Sequence, residues 1–345
     1  MYSESDIEGA VVAGAISPQA AAALRAHIAV TRDAPAVDEE SFRLLTGFND
    51  IFVSIAIALL LVALAQIGST YSVALGGAAV AGASWLLGEY FTRRRRMALP
   101  SILLLLGFTG GVAATLLGLL IDTQADVSQQ TQAIISAGIG LLTAGAAWLH
   151  WRRFMVPITI AAGAVALVGT AVSLVMAAVP ATREAIYPIL LAAGLAVFAL
   201  AMWWDLSDSR RLTRRADVAF WLHLAAAPMI AHSVFQMLGV FDHNSGVGMG
   251  VIVLALYLLF GFIALAIDRR ALLVSSLVYV LYAMYAIIRS AGAVELGAAI
   301  TGLIIGSALL VLSAFWHRMR GLVVGTLGDL GRRLPPVSGL AMASA

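Results

Sequence analysis

Residues Ile51 to Gly68 read IFVSIAIALLLVALAQIG, a stretch in which Ser54 and Gln66 are the only strongly polar side chains. A bilayer core about 30 Å thick is crossed by about 20 apolar residues in a helix, because each residue adds about 1.5 Å. This stretch is close to that length and carries no charge. It predicts a transmembrane helix, and the rest of the chain repeats the pattern.

The composition agrees with this interpretation over the whole chain. Of the 345 residues, 61% are hydrophobic and 12% are charged, and the mean hydropathy is +0.95. Soluble domains carry about 25% charged residues, so a soluble core could not bury this much apolar surface. The composition therefore predicts an all-α polytopic membrane protein.

Nine more apolar runs follow the first, each bounded by arginine, proline or a polar turn, and together they predict a transmembrane helix bundle of about ten spans. The runs cover residues 51–68, 71–91, 99–121, 133–150, 155–179, 185–204, 218–240, 249–267, 271–288 and 295–316. The first two are separated by Gly68, Ser69 and Thr70, which predicts a tight hairpin.

All 21 basic residues are arginine, and their clusters fall in every second loop and after the last run. They are Arg93 to Arg96, Arg152 and Arg153, Arg210, Arg211, Arg214 and Arg215, Arg269 and Arg270, and then Arg318, Arg320, Arg332 and Arg333. Arginine-rich short loops stay in the cytoplasm, so both termini are predicted there. This spacing is typical of membrane topology and not of nucleic-acid binding.

Four segments follow from this pattern. They are a cytoplasmic helical module (1–36), a juxtamembrane helix (37–50), a ten-helix transmembrane domain (51–316) and a partly interfacial cytoplasmic tail (317–345). In the first, Gly14 can end one helix, and Ser17 with Pro18 can cap the next. We predict that this module binds a protein partner.

The segment Ile7 to Ile28 reads IEGAVVAGAISPQAAAALRAHI. It resembles the short helical N-terminal module of uncharacterised bacterial multi-pass membrane proteins. The resemblance implies a bacterial inner-membrane location, and it supplies no activity and no catalytic residues.

A short motif recurs at the cytoplasmic ends of the runs. Arg95 to Pro100 (RRMALP) resembles Arg152 to Pro157 (RRFMVP), and two later arginine pairs repeat it without the proline. The motif indicates tandem two-helix hairpins, each entering the membrane from the cytoplasm. The alternative is that every outward-going helix needs arginine at its start.

Polar side chains inside a bilayer are costly, so each one is a functional candidate. The seventh run contains His223, His232 and Gln236, and His232 and Gln236 are four residues apart and share a helical face. His223 lies nine residues from His232, which puts the two imidazoles on opposite faces.

The ninth run adds a polar stripe of Ser275, Tyr279 and Tyr282. These residues and the seventh-run candidates predict a pocket for a small molecule, with His232 facing the interior of the bundle. The alternative is that the same groups form only interhelical hydrogen bonds.

Other features predict structural roles. Glu89, Asp205 and Asp268 lie beside arginine clusters at the cytoplasmic boundary, which predicts ion pairs there. The spacing of Gly107 with Gly111, and of Gly302 with Gly306, predicts two close helix contacts.

Motifs for catalysis or cofactors are absent from the sequence. It has no cysteine, which excludes thiolate metal sites and iron–sulfur clusters, and it lacks H-E-x-x-H, G-x-S-x-G, P-loop and G-x-G-x-x-G patterns. We therefore predict no metal, no cofactor and no catalytic residue. The hypotheses are a transporter-like or permeation protein, a scaffold or assembly factor that uses the N-terminal module, and an enzyme acting on lipid.

Overall fold

A computed structural model describes residues 4–32, 48–123, 127–179, 185–209, 211, 213–240, 247–290 and 294–335. Every regular element in these ranges is helical. The chain divides into two compact units, Met1–Arg43 and Leu44–Ala345. Most of the predicted juxtamembrane helix, residues 241–246 and the tail beyond 335 lie outside the described residues.

The first unit contains α1 (Glu4–Val12) and α2 (Pro18–Arg32). Gly14 has φ of +72°, a left-handed conformation that glycine adopts easily after a helix. The Ser17 Oγ accepts a hydrogen bond from the Ala20 N at 3.1 Å, so Ser17 caps α2 as the sequence predicted.

The second unit contains the apolar helices, and each of the ten predicted runs falls on one of α3 to α12. The helices are α3 (Phe48–Ser69), α4 (Val73–Gly88), α5 (Ala98–Asp122), α6 (Gln129–Phe154), α7 (Ile158–Ala178), α8 (Ile186–Ser207), α9 (Arg214–Met237), α10 (Val247–Ile267), α11 (Ala271–Ser290), α12 (Val294–Ala314) and α13 (Trp316–Thr326). A π-helical turn, Glu89–Arg94, follows α4.

Seven helices within the described part of the chain are long and apolar enough to cross a membrane, namely α3 and α5 to α10. The end of α12 and α13 together would make an eighth, although they meet at an angle of 78°. Helix α4 has 16 residues, slightly short of a span. The figure of ten spans remains a prediction.

The three most extensively packed pairs of consecutive helices are joined by arginine-rich turns: α4 with α5, α6 with α7, and α8 with α9. A fourth arginine-rich turn joins α10 to α11, which also pack together. Each of these turns contains a non-glycine residue with positive φ, which ends one helix and redirects the chain. These residues are Arg96 (52°), Met155 (56°), Arg211 (52°) and Asp268 (55°).

This pairing differs from the predicted hairpin repeat. The repeat joined each outward helix to the next returning one, whereas the closest pairs are offset by one helix. The repeat aligned Arg96 with Arg153, but the left-handed residue of the second turn is Met155. The tandem repeat therefore remains a prediction.

The turn between α3 and α4 is the tight hairpin that the sequence predicted. The Ser72 Oγ accepts a hydrogen bond from the Leu75 N at 2.9 Å. The carboxylate of Asp122, at the end of α5, accepts from the Val73 N at 3.3 Å and the Ala74 N at 3.2 Å. A carboxylate at this place also stabilises the positive end of the helix dipole of α4.

Of the two predicted glycine contacts, the described part of the chain shows one. A Cβ built on Gly111 would lie 2.7 Å from the Ala81 N and 2.8 Å from the Gly77 O, so the backbones of α4 and α5 touch there. A Cβ on Gly302 or Gly306 would meet nothing within 4 Å. The second prediction was wrong because small residues permit a close contact without supplying a partner helix.

Two hydrophobic cores lie in the described part of the second unit. One includes Ile57 and Leu61 of α3 and Leu104 of α5. The other joins α7 to α13, and α13 contributes the buried Trp316 to it. Val323, which lies in the predicted tail, packs against this second core.

The orientation of the chain remains a prediction, because the structure contains no membrane. A reporter fused after Ser209 is expected on the cytoplasmic side, and one fused after Gln129 on the opposite side. Paired phosphatase and fluorescent-protein fusions measure this directly. Finding both positions on one side would contradict the alternation of arginine-rich loops.

Candidate functional site

The His232 side chain meets Tyr279, its predicted neighbour on α11. The Nδ1 of His232 lies 2.7 Å from the Tyr279 hydroxyl, and both side chains are half-buried. The Tyr187 ring of α8 lies edge-on to the imidazole at 5.8 Å, and Phe235 stacks on Tyr279 at 4.5 Å. The imidazole of α9 is therefore flanked by a tyrosine ring from α8 and by the ring and hydroxyl of a tyrosine from α11.

The other predicted members of this pocket differ in burial. Gln236 and Ser275 are half-buried, and Tyr282 is 40% exposed. The buried serine of α11 is Ser276, whose hydroxyl donates to the Leu272 O at 2.6 Å and so satisfies itself within its own helix. Tyr279 is the member of the stripe whose hydroxyl reaches His232.

His223 points away from this pair, as its nine-residue spacing from His232 predicted. Its Nε2 lies 3.0 Å from an oxygen of Asp205 on α8, and its ring packs edge-on against Phe198 at 5.1 Å. Since a carboxylate only accepts, Nε2 carries the hydrogen in this contact. The Nδ1 of His223 is buried and has no hydrogen-bond partner.

Asp205 is fully buried, and besides His223 of α9 it binds Arg269, which precedes α11. The Arg269 guanidinium donates to it through Nε at 3.1 Å and through a terminal nitrogen at 2.5 Å. The same guanidinium donates to the Ala216 O at 3.2 Å. The Arg211 Nε lies 3.9 Å from the carboxylate. These contacts join the end of α8 to the starts of α9 and α11.

Asp268 forms a second centre beside the first. It accepts from Arg211 at 2.9 Å and from the Trp316 Nε1 at 2.6 Å, and the Arg320 Nε lies 3.9 Å away. The Arg270 guanidinium covers the Trp316 ring at 4.7 Å. Helix α13 is therefore attached to the turn between α10 and α11.

We call these groups the buried ion cluster. Its members are Asp205, Asp268, Arg211, Arg269, Arg320 and His223, and their side chains are at most 9% exposed. The sequence predicted ion pairs for both aspartates, but at an interfacial boundary; the structure buries them. Buried charges are stable only when paired and hydrogen-bonded, so the cluster fixes how four helix ends meet.

Glu89 pairs at the surface, as predicted. Arg153 donates to it through two nitrogens, at 2.6 and 2.8 Å, and Arg93 donates at 3.3 Å. The hydrogen bond from Arg153 is the main reason that the pKa of Glu89 lies below its usual value. Both side chains of the main pair are more than 30% exposed, so it contributes far less than a buried pair.

His150 is a buried histidine that sequence reasoning missed. Its Nδ1 lies 3.2 Å from the Thr159 hydroxyl, and its ring packs on Phe154 at 4.6 Å and Phe108 at 5.7 Å. The sequence feature that could have identified it is the LHWRR segment, in which His150 lies close to an arginine pair. Its partners make it a packing residue between α6 and α7.

The fold and the polar contacts define a class, an all-helical protein whose long apolar helices fit a multi-pass membrane bundle. No protein-family model, curated protein or solved structure matches the chain.

Proposed function

We propose that this chain is a transporter-like or permeation protein of the bacterial inner membrane, which passes a small molecule beside His232. The observation that supports the proposal is the half-buried His232–Tyr279 pair, in which His232 lies five residues before the end of α9 and Tyr279 lies about midway along α11. A polar pair at that depth is costly when it faces lipid. Its incomplete burial is explained when part of it borders a path for solute or water.

The chemistry of the pair suits a small solute with an apolar body. When Tyr279 donates to Nδ1, the Nε2 of His232 carries a hydrogen and can donate it to a ligand. The rings of Tyr187, Phe235 and Tyr279 provide apolar faces. Binding pockets commonly combine such faces with a few polar groups that fix orientation.

The buried ion cluster favours a second candidate, a membrane scaffold or assembly factor. It joins the ends of α8, α9, α11 and α13 through charges that are largely removed from solvent. Such a network makes a rigid assembly. The helices α1 and α2 form a compact unit of their own, which would bind a protein partner in this alternative.

Substituted-cysteine labelling separates the two candidates, because the natural chain contains no cysteine. Ser275→Cys and Gln236→Cys each place a single thiol one helical turn from Tyr279 and His232, respectively, on the same helical face. Val278→Cys is the control, because its side chain is 67% exposed on another face of α11. A charged methanethiosulfonate reagent reacts with the thiolate, which forms only where water reaches.

In the transport proposal, Ser275→Cys or Gln236→Cys is modified about tenfold or more faster than Val278→Cys. The reaction is measured in membrane vesicles of both orientations by a gel-shift of the labelled protein. Equal, slow labelling at all three positions would contradict the proposal and support the scaffold.

A further inference from the structure

An open groove of about 430 Å³ lies between α5, α6, α7 and α9. This volume is within the range of about 300–1,000 Å³ that is usual for small-molecule sites. The groove exists because its walls carry mostly small side chains where larger ones would fill the space. The small residues are Gly110, Ala113, Ala161, Ala162, Ala166 and Ala225.

The wall of the groove is almost entirely apolar. Its two hydroxyl groups are satisfied inside their own helices, because Thr109 donates to the Leu105 O at 2.9 Å and Thr143 donates to the Ile139 O at 2.8 Å. Neither hydroxyl demands a polar ligand. The groove therefore suits a hydrocarbon chain better than a hydrated solute.

The position of the groove among the apolar helices indicates which kind of molecule can reach it. All four surrounding helices are among those that can cross a membrane, so the groove opens towards hydrocarbon. Along α7 it extends from Ile158 to Ala166, about 12 Å at about 1.5 Å per residue. It is a slot parallel to the lipid chains, and it begins next to the arginine-rich turn that precedes α7.

Positive charge is available at that end of the slot. Arg214 is exposed and opens α9, and it lies two turns before Trp221, a groove residue, so both share a helical face. Asp217 lies one turn after Arg214 on the same face of α9, and the charges of Arg214 and Arg269 both act on it. An arginine there matches a phosphate group.

We infer that the groove binds one anionic phospholipid, with an acyl chain between α5, α6, α7 and α9 and its phosphate at Arg214. The inference is independent of the transport proposal, because the groove and the His232–Tyr279 pair share no residue. The lipid would fill the space beside α7 and α9, between the two hydrophobic cores.

Native mass spectrometry of the purified full chain tests the inference with phosphatidylglycerol as the probe. The wild-type protein is expected to retain one molecule more tightly than any others. Ala162→Trp fills the groove and is expected to weaken this binding about tenfold or more. Ala171→Trp is the matched control on the same helix, because Ala171 is exposed and lies outside the groove.

The headgroup is tested with a second matched pair. Arg214→Gln is expected to reduce phosphatidylglycerol binding to the level of phosphatidylethanolamine, whereas Arg215→Gln, one residue away on another face, leaves the preference intact. Equal binding of the two lipids by the wild type would overturn the anionic assignment. If Ala162→Trp does not fold, Ala225→Leu fills the groove from α9. Undiminished binding in the groove-filling variant overturns the inference.

Discussion

Replacing Asp205 with alanine is expected to lower the free energy of unfolding by about 3–5 kcal/mol. The carboxylate is fully buried and accepts hydrogen bonds from Arg269 and His223. Its removal leaves the Arg269 guanidinium, which is only 3% exposed, without its counter-charge. An uncompensated buried charge is among the most destabilising changes a single substitution can make.

Three further variants decide whether charge is the cause. The double variant Asp205→Ala with Arg269→Met is expected to recover much of the loss, because it removes both charges. Glu89→Ala is the control, since it breaks a two-nitrogen contact with Arg153 that is partly exposed, and its effect is expected to be much smaller. Asp205→Asn keeps the size of the side chain and should still be strongly destabilising.

Unfolding is measured in detergent micelles or bicelles by denaturant titration, with tryptophan fluorescence as the signal. Trp316 is itself bonded to Asp268 in the same cluster, so its environment reports local opening. A loss for Asp205→Ala no larger than that for Glu89→Ala would contradict the view that the buried ion cluster stabilises the helix ends.

The contact between His232 and Tyr279 could be predicted although the two residues are 47 positions apart. Inside a bilayer few polar groups are available, and each needs a partner. The small number of polar side chains therefore leaves few possible partners for His232. At the boundary of the membrane the same reasoning fails, because many arginines lie there and any of them could pair with Asp205.

The partner of Asp205 is Arg269, which is 64 residues away in the turn between α10 and α11. Only the packing of α8 against α9, and of α9 against α11, brings the two together. The sequence thus predicted that both aspartates would be paired. It could not predict that α13 would cover Asp268, because that depends on the break between α12 and α13.

The existence of helices was predictable for a different reason. Apolar stretches near the thickness of a bilayer must be helical to satisfy their backbone groups. The positions of the close contacts were less predictable, because glycine spacing describes one helix and not its neighbour. Gly107 and Gly111 face α4, whereas Gly302 and Gly306 face open space.

Opposite faces of α9 carry two histidines with different roles. His223 joins the buried ion cluster and His232 joins Tyr279, on opposite sides of one helix. A rotation of α9 would disturb both contacts together. In the transport proposal, His232→Leu therefore removes the polar group of the path without touching the cluster that anchors the end of the helix.

Replacing Gly111 with alanine is the second change expected to have a large effect. The added Cβ would lie 2.7 Å from the Ala81 N and 2.8 Å from the Gly77 O. Both are backbone atoms of α4, so no side-chain rotation can relieve the overlap. Helices α4 and α5 must separate, and overpacking of this kind costs about 1–3 kcal/mol, occasionally more.

The neighbouring glycine provides a control one residue away. A Cβ on Gly110 would meet nothing within 4 Å, and the same is true of Gly306 on α12. Gly110→Ala and Gly306→Ala are therefore expected to be neutral or slightly stabilising, since alanine favours a helix over glycine by about 1 kcal/mol in soluble hosts. Thermal unfolding of the three variants in one detergent measures the difference.

The ring of Trp85 on α4 lies 5.0 Å from that of Phe108 on α5, so its fluorescence should change when this pair of helices separates in Gly111→Ala and stay constant in Gly110→Ala. Equal melting temperatures for these two variants would mean that α4 and α5 do not touch at Gly111.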